Sequence, residues 1–245
     1  MTGKFRLGGG LIALLVLLPS FAIAQDVSID LGDQGALSTR TIQLFALITV
    51  LSLAPGIAIM VTCFPFLVTV LSILRQAIGL QQSPPNMLIV SLALFLTYFI
   101  MEPVFSAAWE NGLKPLTNEE IDVETAFAQT IAPFRQFMVG RMNPDTFIAM
   151  AELRPDTAGL KLEVDAPLSV LVPSFMLSEI TRAFQIGFLV YLPFLIIDLV
   201  VAAILMSMGM MMVPPAVVSL PFKLAFFVVA DGWSLIAGSL VRSYF

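Results

Sequence analysis

Hydrophobic residues occupy two long blocks of this chain, and a polar stretch separates them. From Thr41 to Met101 the only charged residue is Arg75, which is followed by a short polar turn. The second block begins near Ala166 and continues to Phe245, with a methionine-rich link near its middle. A membrane-spanning helix needs about 20 apolar residues, so each block can form a helical hairpin with two arms.

The stretch between the two blocks has a different composition. From Glu102 to Asp165 it contains 11 of the 17 acidic residues and five basic ones. Residues 122–142 keep apolar side chains at helical spacing, which predicts an amphipathic helix, and Pro133 is expected to stop a helix. The pattern predicts an all-α membrane protein: two long hydrophobic helical hairpins with a small polar, mostly helical insert between them. The predicted segments are residues 1–24, a cleavable signal peptide; 25–40, a short exported segment; 41–109, the first hairpin; 110–165, the insert, on the periplasmic side; and 166–245, the second hairpin, with the methionine-rich link at 208–215.

Proline and glycine are expected to interrupt both hairpins. The first arm, residues 41–74, is much longer than one span needs, so we expect a bent or two-piece helix there. Proline lacks a backbone N–H and its ring clashes with the preceding helical turn. The expected breaks are at Pro55, Gly56 and Pro65 in the first hairpin and at Pro214 and Pro215 in the second.

The amino-acid composition excludes several kinds of chemistry. Hydrophobic residues make up 58% of the chain and charged residues 12%, about half the charged fraction of a soluble domain. Histidine is absent and Cys63 is the only cysteine, so the sequence offers no disulfide framework, zinc cluster or catalytic pair with His or Cys. The insert carries no nucleotide-binding, metalloprotease or hydrolase motif. We therefore expect a membrane protein that is not an enzyme, with no cofactor and no nucleic-acid partner.

The N-terminus has the pattern of a secretory signal. Lys4 and Arg6 precede an apolar run, and Ala22 and Ala24 form an A-x-A cleavage site before Gln25. An uncleaved first anchor is the alternative. After cleavage, four crossings would place the insert and the C-terminus outside the cytoplasm and the methionine-rich link on the cytoplasmic side.

The methionine-rich link is the most unusual feature of the sequence. Met208, Met210, Met211 and Met212 surround Gly209 and run into the proline pair. Methionine is unbranched and flexible, so such side chains can fill an irregular gap, part and fill it again. Non-helical backbone at membrane depth requires protein or water around it, which favours a constriction in a conduit. A methionine-rich helix end packed in apolar surroundings is the alternative.

Charged side chains lie inside the second hairpin, where they are costly unless they pair or face water. Glu179 and Arg182 are three residues apart and can pair on one helix face. A hairpin that turns at the link would bring Asp198 and Lys223 to the same depth, and a pair between Glu179 and Lys223 across a subunit boundary is the alternative. These pairs either fix the register of the helices, or line an aqueous path or a subunit interface. Asp231 is the fifth such charge, and no GxGD-type signature supports an aspartyl protease.

Long stretches of the chain resemble the FliP family of flagellar export-gate proteins. They are the run from Pro173 through Glu179, Gly187 and Pro193 to Asp198, the methionine link, the stretch from Pro221 to Asp231, and the early segment from Thr62 to Gln81 with Arg75. The resemblance covers essentially the whole mature chain. The homologous gate subunits of virulence injectisomes are the second possibility, although these more often lack a signal peptide.

The resemblance implies an assembly and a function. Family members form a ring of about five copies with the partners FliQ and FliR, at the centre of the flagellar basal body in the bacterial inner membrane, and FlhB joins it. Unfolded flagellar proteins pass through this gate. The resemblance also implies that Met210, Met211 and Met212 form a gasket around the channel, and that the hairpins can be raised above the bilayer plane.

A self-contained small-solute transporter or ion channel is the competing class. Such a protein usually shows an internal repeat and a binding site on broken helices at the bilayer midplane. The two hairpins show no sequence repeat, and the clearest interruption is the methionine link. Four short spans cannot enclose a pore for a polypeptide, so the export function requires a ring.

Overall fold

A computed structural model describes residues 34–80, 83–210 and 212–245, and these residues form helices and no strand. The predicted signal peptide and its cleavage site between Ala24 and Gln25 lie outside the described residues. The helices are α1 (Gln34–Met60), α2 (Phe64–Ile78), α3 (Asn86–Ala108), a π-helix (Trp109–Leu113), α4 (Lys114–Thr117), α5 (Val123–Arg141), α6 (Pro144–Glu152), α7 (Leu168–Ser207), α8 (Pro215–Val229) and α9 (Gly232–Arg242).

Three of the described helices are long and apolar enough to cross a membrane, and a fourth crossing exists if the bent pair α8 and α9 counts as one. The three are Arg40–Met60, Asn86–Thr117 and Leu168–Ser207. The fold is therefore that of an all-α membrane protein. The chain divides into two compact units, Met1–Val50 and Leu51–Phe245, and the core described below belongs to the second.

Of the breaks expected in the first arm, the structure has the one at Pro65 and not those at Pro55 and Gly56. Pro55 and Gly56 were expected to break the helix, but α1 continues through both and ends at Met60. The chain leaves the helical conformation at residues 61–63 and re-enters it with Pro65 in the first turn of α2. The ring of a proline clashes with the carbonyl four residues earlier, here that of Val61, so Pro65 can begin a helix but cannot continue one.

The second hairpin also differs in detail from the prediction. Helix α7 extends over 40 residues and passes through Pro173 and Pro193, and in the insert α5 passes through Pro133, which was expected to stop it. The last arm of the second hairpin consists of two helices, and it bends by 61° between α8 and α9. At this bend Asp231 adopts the left-handed conformation (φ 50°, ψ 48°), which aspartate tolerates better than most residues.

Helix α2 is the centre of the core. Its buried side chains recur at the helical spacing of three and four residues, and they pack between α3 and α7. Gly187 of α7 lies against Ile73, and a Cβ at this glycine would approach the Ile73 Cγ2 atom to 3.2 Å. Cys63 is fully buried at the start of α2, and burial raises the pKa of its thiol to about 12. It is therefore a packing residue and not a nucleophile.

The insert has a second, smaller core. Helices α5 and α6 pack against the first turns of α7, and Phe147 and Phe175 are fully buried there. The predicted amphipathic helix at 122–142 coincides with α5 within one residue at each end. Two apolar residues at its N-terminal end, Val123 and Phe127, remain exposed. The insert thus shares a core with the second hairpin, and it continues from the first hairpin without a helical break, because α3, the π-helix and α4 form one stretch, Asn86–Thr117.

Candidate functional site

The methionine-rich link is a capped helix end followed by non-helical backbone. Helix α7 ends at Ser207, and Gly209 follows in the left-handed conformation (φ 73°). The Gly209 N–H donates to the Met206 carbonyl at 3.1 Å, and the Met210 N–H donates to the Leu205 carbonyl at 3.0 Å. These two hydrogen bonds form a Schellman motif, in which glycine is favoured because it lacks a Cβ. Gly209 therefore sets the direction in which the link leaves α7.

The methionines whose side chains are described point away from the rest of the chain. Met208, Met210 and Met212 are 60%, 43% and 97% exposed, and Met211 lies outside the described residues. Helix α8 begins at Pro215, with Pro214 as its N-cap. Met208 also lines an apolar groove between α7 and α8. Exposure within one chain agrees both with a seal between subunits and with a helix end packed against apolar neighbours outside the chain. The link thus presents flexible apolar side chains to something outside the chain.

The structure brings Asp198 and Lys223 together. The Lys223 Nζ atom lies 2.6 Å from the Asp198 Oδ2 atom and donates a second hydrogen bond to the Ala77 carbonyl at 3.1 Å. The Ser219 hydroxyl donates to the other carboxylate oxygen at 2.6 Å. The Ala77 carbonyl lies in the last turn of α2, where carbonyls lack helical partners. The lysine therefore joins α2, α7 and α8 at one point, and the hairpin turn at the link accounts for the equal depth of the two charges.

Glu179 has a different partner from the predicted one. It is fully buried, and its Oε1 atom lies 3.4 Å from the Arg141 Nε atom instead of contacting Arg182. The Tyr244 hydroxyl donates to Glu179 Oε2 at 2.6 Å. The spacing of three residues would permit a contact with Arg182, but the Glu179 side chain points into the core and Arg182 points into a cleft at the surface. A buried carboxylate needs a partner at its own depth, which Arg141 and Tyr244 provide.

The C-terminal residues complete this network. The Arg141 guanidinium carbon lies 3.9 Å from the centroid of the Tyr244 ring, and Arg141 Nη1 donates to the Ser243 carbonyl at 2.7 Å. The ring of Tyr244 also stacks on Phe137. Burial, together with the neighbouring Glu179 carboxylate, raises the pKa of Tyr244 well above its usual range. No sequence pattern indicates Arg141 or Tyr244 as partners of Glu179, because both lie far from it along the chain.

Arg182 and Asp231, the other two of the five charges considered above, form no ion pair among the described residues. Arg182 is half-buried in a polar cleft, and no carboxylate of the described ranges pairs with it. Asp231 is exposed at the bend between α8 and α9. No group of three or more His, Cys, Asp or Glu within the described parts of the chain could hold a metal ion. The candidate functional site is therefore the methionine-rich link, supported by the buried charge pairs below it.

Comparison with known proteins assigns the chain to a family. The FliP family model matches residues 47–240. The flagellar biosynthetic protein FliP of Caulobacter vibrioides is 51% identical over 233 residues, which cover 93% of this chain and 86% of the relative. The protein of the same name from Aquifex aeolicus is 44% identical, and the match covers 95% of this chain and 98% of the relative. The one from Bacillus subtilis is 46% identical, and the match covers 84% of this chain and 93% of the relative. The chain therefore belongs to the FliP family, and it is a helical membrane component of the flagellar export apparatus, not an enzyme.

Proposed function

We propose that this protein is a channel-forming subunit of the bacterial flagellar type III export gate. About five copies form a ring with FliQ and FliR, FlhB joins the ring, and unfolded flagellar proteins pass through it. The gate lies in the inner membrane at the flagellar basal body, where the assembled subunits can be raised above the bilayer plane. The observation that carries this proposal is the exposure of the methionine side chains on a rigidly capped link.

The apolar surface of the chain supports an assembly. All the described side chains of α1 from Arg40 to Met60 are exposed, and so are large apolar residues along α3 and α7, such as Phe95 and Phe188. These faces need lipid or other protein chains as neighbours. A single chain has no described cavity wide enough for a polypeptide, so the conduit must lie between chains.

The seal follows from the chemistry of the link. In a ring, Met210, Met211 and Met212 of about five copies would bring about fifteen thioethers to one constriction. An apolar constriction of this kind excludes hydrated ions by dewetting. Methionine has three rotatable bonds and adapts to a passing chain better than a ring of phenylalanine or isoleucine would. The same residues can therefore hold back ions and admit an unfolded protein.

The test is to shorten the three methionines to alanine together. The triple variant should assemble to the same extent as the parent and should make the channel conduct small ions in a planar bilayer. Protein export should persist, because a wider constriction still admits an unfolded chain. Met87→Ala is the matched control, since Met87 is 80% exposed but lies at the start of α3, away from the link. If the triple variant is as tight as the parent, the link is not the gasket.

A further inference from the structure

A polar cleft lies where the insert meets the second hairpin. It has a volume of about 90 Å³, enough for one tetrahedral oxyanion, and is open on one side. The lining combines two arginines with side chains that carry hydroxyl or amide groups, and it includes no carboxylate: Arg141, Asn143, Thr146, Ser178, Thr181, Arg182 and Gln185.

The sequence of α7 shows that one face of the helix is built for this cleft. Ser178, Thr181, Arg182 and Gln185 follow the spacing i, i+3, i+4, i+7, which places them on one side of the helix. The rest of this long helix is predominantly apolar. A polar face within an apolar helix indicates a specific polar neighbour, because such residues are costly in a membrane segment.

Several hydrogen-bond donors of the cleft have no acceptor within the described residues. The Arg141 Nη2 atom is buried without a hydrogen-bond partner. Arg182 has no counter-charge in the described ranges, and no hydrogen bond within them engages the side chains of Thr181 or Gln185. The Arg141 Nη2 atom is closed off from the cleft, and Arg141 already faces Glu179. The donors that the cleft offers to a ligand are therefore those of Arg182, Thr181 and Gln185, and one anion can accept from several of them at once.

The surroundings of the cleft indicate the source of the anion. On one side lie the polar residues of the insert, and on the other α7 continues with Phe184 and Phe188, which are 60% and 61% exposed. A phospholipid has the same arrangement, with a phosphate at the boundary between polar and apolar regions and acyl chains beyond it. Arginine binds phosphate through two parallel hydrogen bonds.

We propose that this cleft binds the phosphate of a phospholipid head group, with Arg182 as its main ligand, Thr181 and Gln185 as further donors, and the acyl chains along Phe184 and Phe188. The bound lipid supplies the missing counter-charge for Arg182. It also covers the apolar face next to the insert. The site depends on the membrane location of the chain and not on the channel function proposed above.

The test is lipid binding to the full-length protein in detergent, measured by native mass spectrometry with dioleoyl phosphatidylglycerol. Arg182→Gln should weaken lipid binding about tenfold, the loss expected for one charge-assisted contact. The lipid affinity of the Arg182→Lys variant should lie between those of the Arg182→Gln variant and the parent, because lysine keeps the charge but cannot form the two parallel hydrogen bonds. Arg242→Gln is the matched control, since it removes the same charge from an exposed position of α9. Circular dichroism would check that each variant remains folded.

Two competitors identify the source of the phosphate. Dioleoylglycerol, which has the same acyl chains without the phosphate, should not displace the phospholipid, and neither should millimolar inorganic phosphate, which lacks the chains. Displacement by inorganic phosphate would show that the cleft binds the free ion. Displacement by dioleoylglycerol would show that only the apolar face of the protein binds the lipid, through its acyl chains. Equal binding by the Arg182→Gln and Arg242→Gln variants would overturn the proposal. So would the result that Arg182→Gln reduces subunit association and leaves lipid binding unchanged, because the anion would then be a carboxylate of another chain.

Discussion

Lys223→Ala should damage the protein far more than Arg242→Ala. The Lys223 side chain is 7% exposed, and it neutralises an Asp198 side chain that is 31% exposed. Arg242 lies at the exposed end of α9. Removing the lysine leaves the carboxylate with the Ser219 hydroxyl alone and removes the hydrogen bond to the last turn of α2.

The expected loss follows from the burial of this pair. Breaking a buried ion pair by removing one partner costs about 3–5 kcal/mol. Asp198 is about one third exposed, and water can therefore solvate part of the charge left behind. We accordingly expect the lower end of that range, about 3 kcal/mol, which reduces the folded-to-unfolded ratio about 100-fold. Arg242→Ala should change stability by less than about 0.5 kcal/mol, as is usual for an exposed position.

The assay is the yield of assembled complex on a native gel, together with thermal unfolding of the purified chain. Charge reversal then identifies the partner of the lysine. In a Lys223→Glu background, Asp198→Lys should restore yield, whereas Glu179→Lys should not, because Glu179 already contacts Arg141 and Tyr244. Equal yields of the Lys223→Ala and Arg242→Ala variants, or rescue by Glu179→Lys, would refute the intrachain pair.

Three further predictions concern the insert and the C-terminus. Tyr244→Phe should cost about 1.5–3 kcal/mol, because it removes a hydrogen bond to a buried carboxylate, whereas Tyr98→Phe at an exposed position should be neutral in thermal unfolding. Gly112→Ala should lower the unfolding temperature, because the new Cβ would lie 2.7 Å from the Thr130 backbone nitrogen. Gly140→Ala is the control and should not lower the unfolding temperature, because a Cβ at Gly140 meets nothing within 4 Å. Alanine replacement of four acidic residues of the insert should leave the export rate per assembled complex unchanged, and a collapse of export with intact assembly would reveal a missed functional site. The four are Glu119, Glu120, Asp122 and Glu124.

Local sequence patterns predicted the features that depend on nearby residues. Hydrophobic blocks identified the long helices, and the apolar spacing in the insert identified α5. The pair Asp198 and Lys223 could be predicted because a hairpin that turns at Met210 places residues at equal distances from the turn at equal depth. The non-helical link followed from its two prolines in the same way, whereas the cap at Gly209 was not predicted.

Features that depend on tertiary packing could not be predicted in this way. The hydrogen bond between Tyr244 and Glu179 joins residues 65 positions apart, and no local spacing relates them. Helix α1 continues through Pro55, because a proline removes one helical hydrogen bond and can bend a helix without ending it, and the sequence does not distinguish the two outcomes. The bend lies at the pair Asp231 and Gly232, and Asp-Gly is a turn signal, but the left-handed backbone falls on the aspartate and not on the glycine, which is visible only in the structure.

The central position of α2 has a consequence for the order of events during synthesis. This helix has 15 residues, so it is about 22 Å long, which is shorter than the hydrocarbon core of a bilayer. Its main packing partner, α7, begins at Leu168 and meets it around Gly187. A ribosome adds about 5–20 residues per second, so α2 waits about 5–20 seconds after it is made before that partner exists. The buried core therefore closes late in translation, and until then a short apolar helix that cannot span the membrane needs another binding partner, such as lipid or a chaperone.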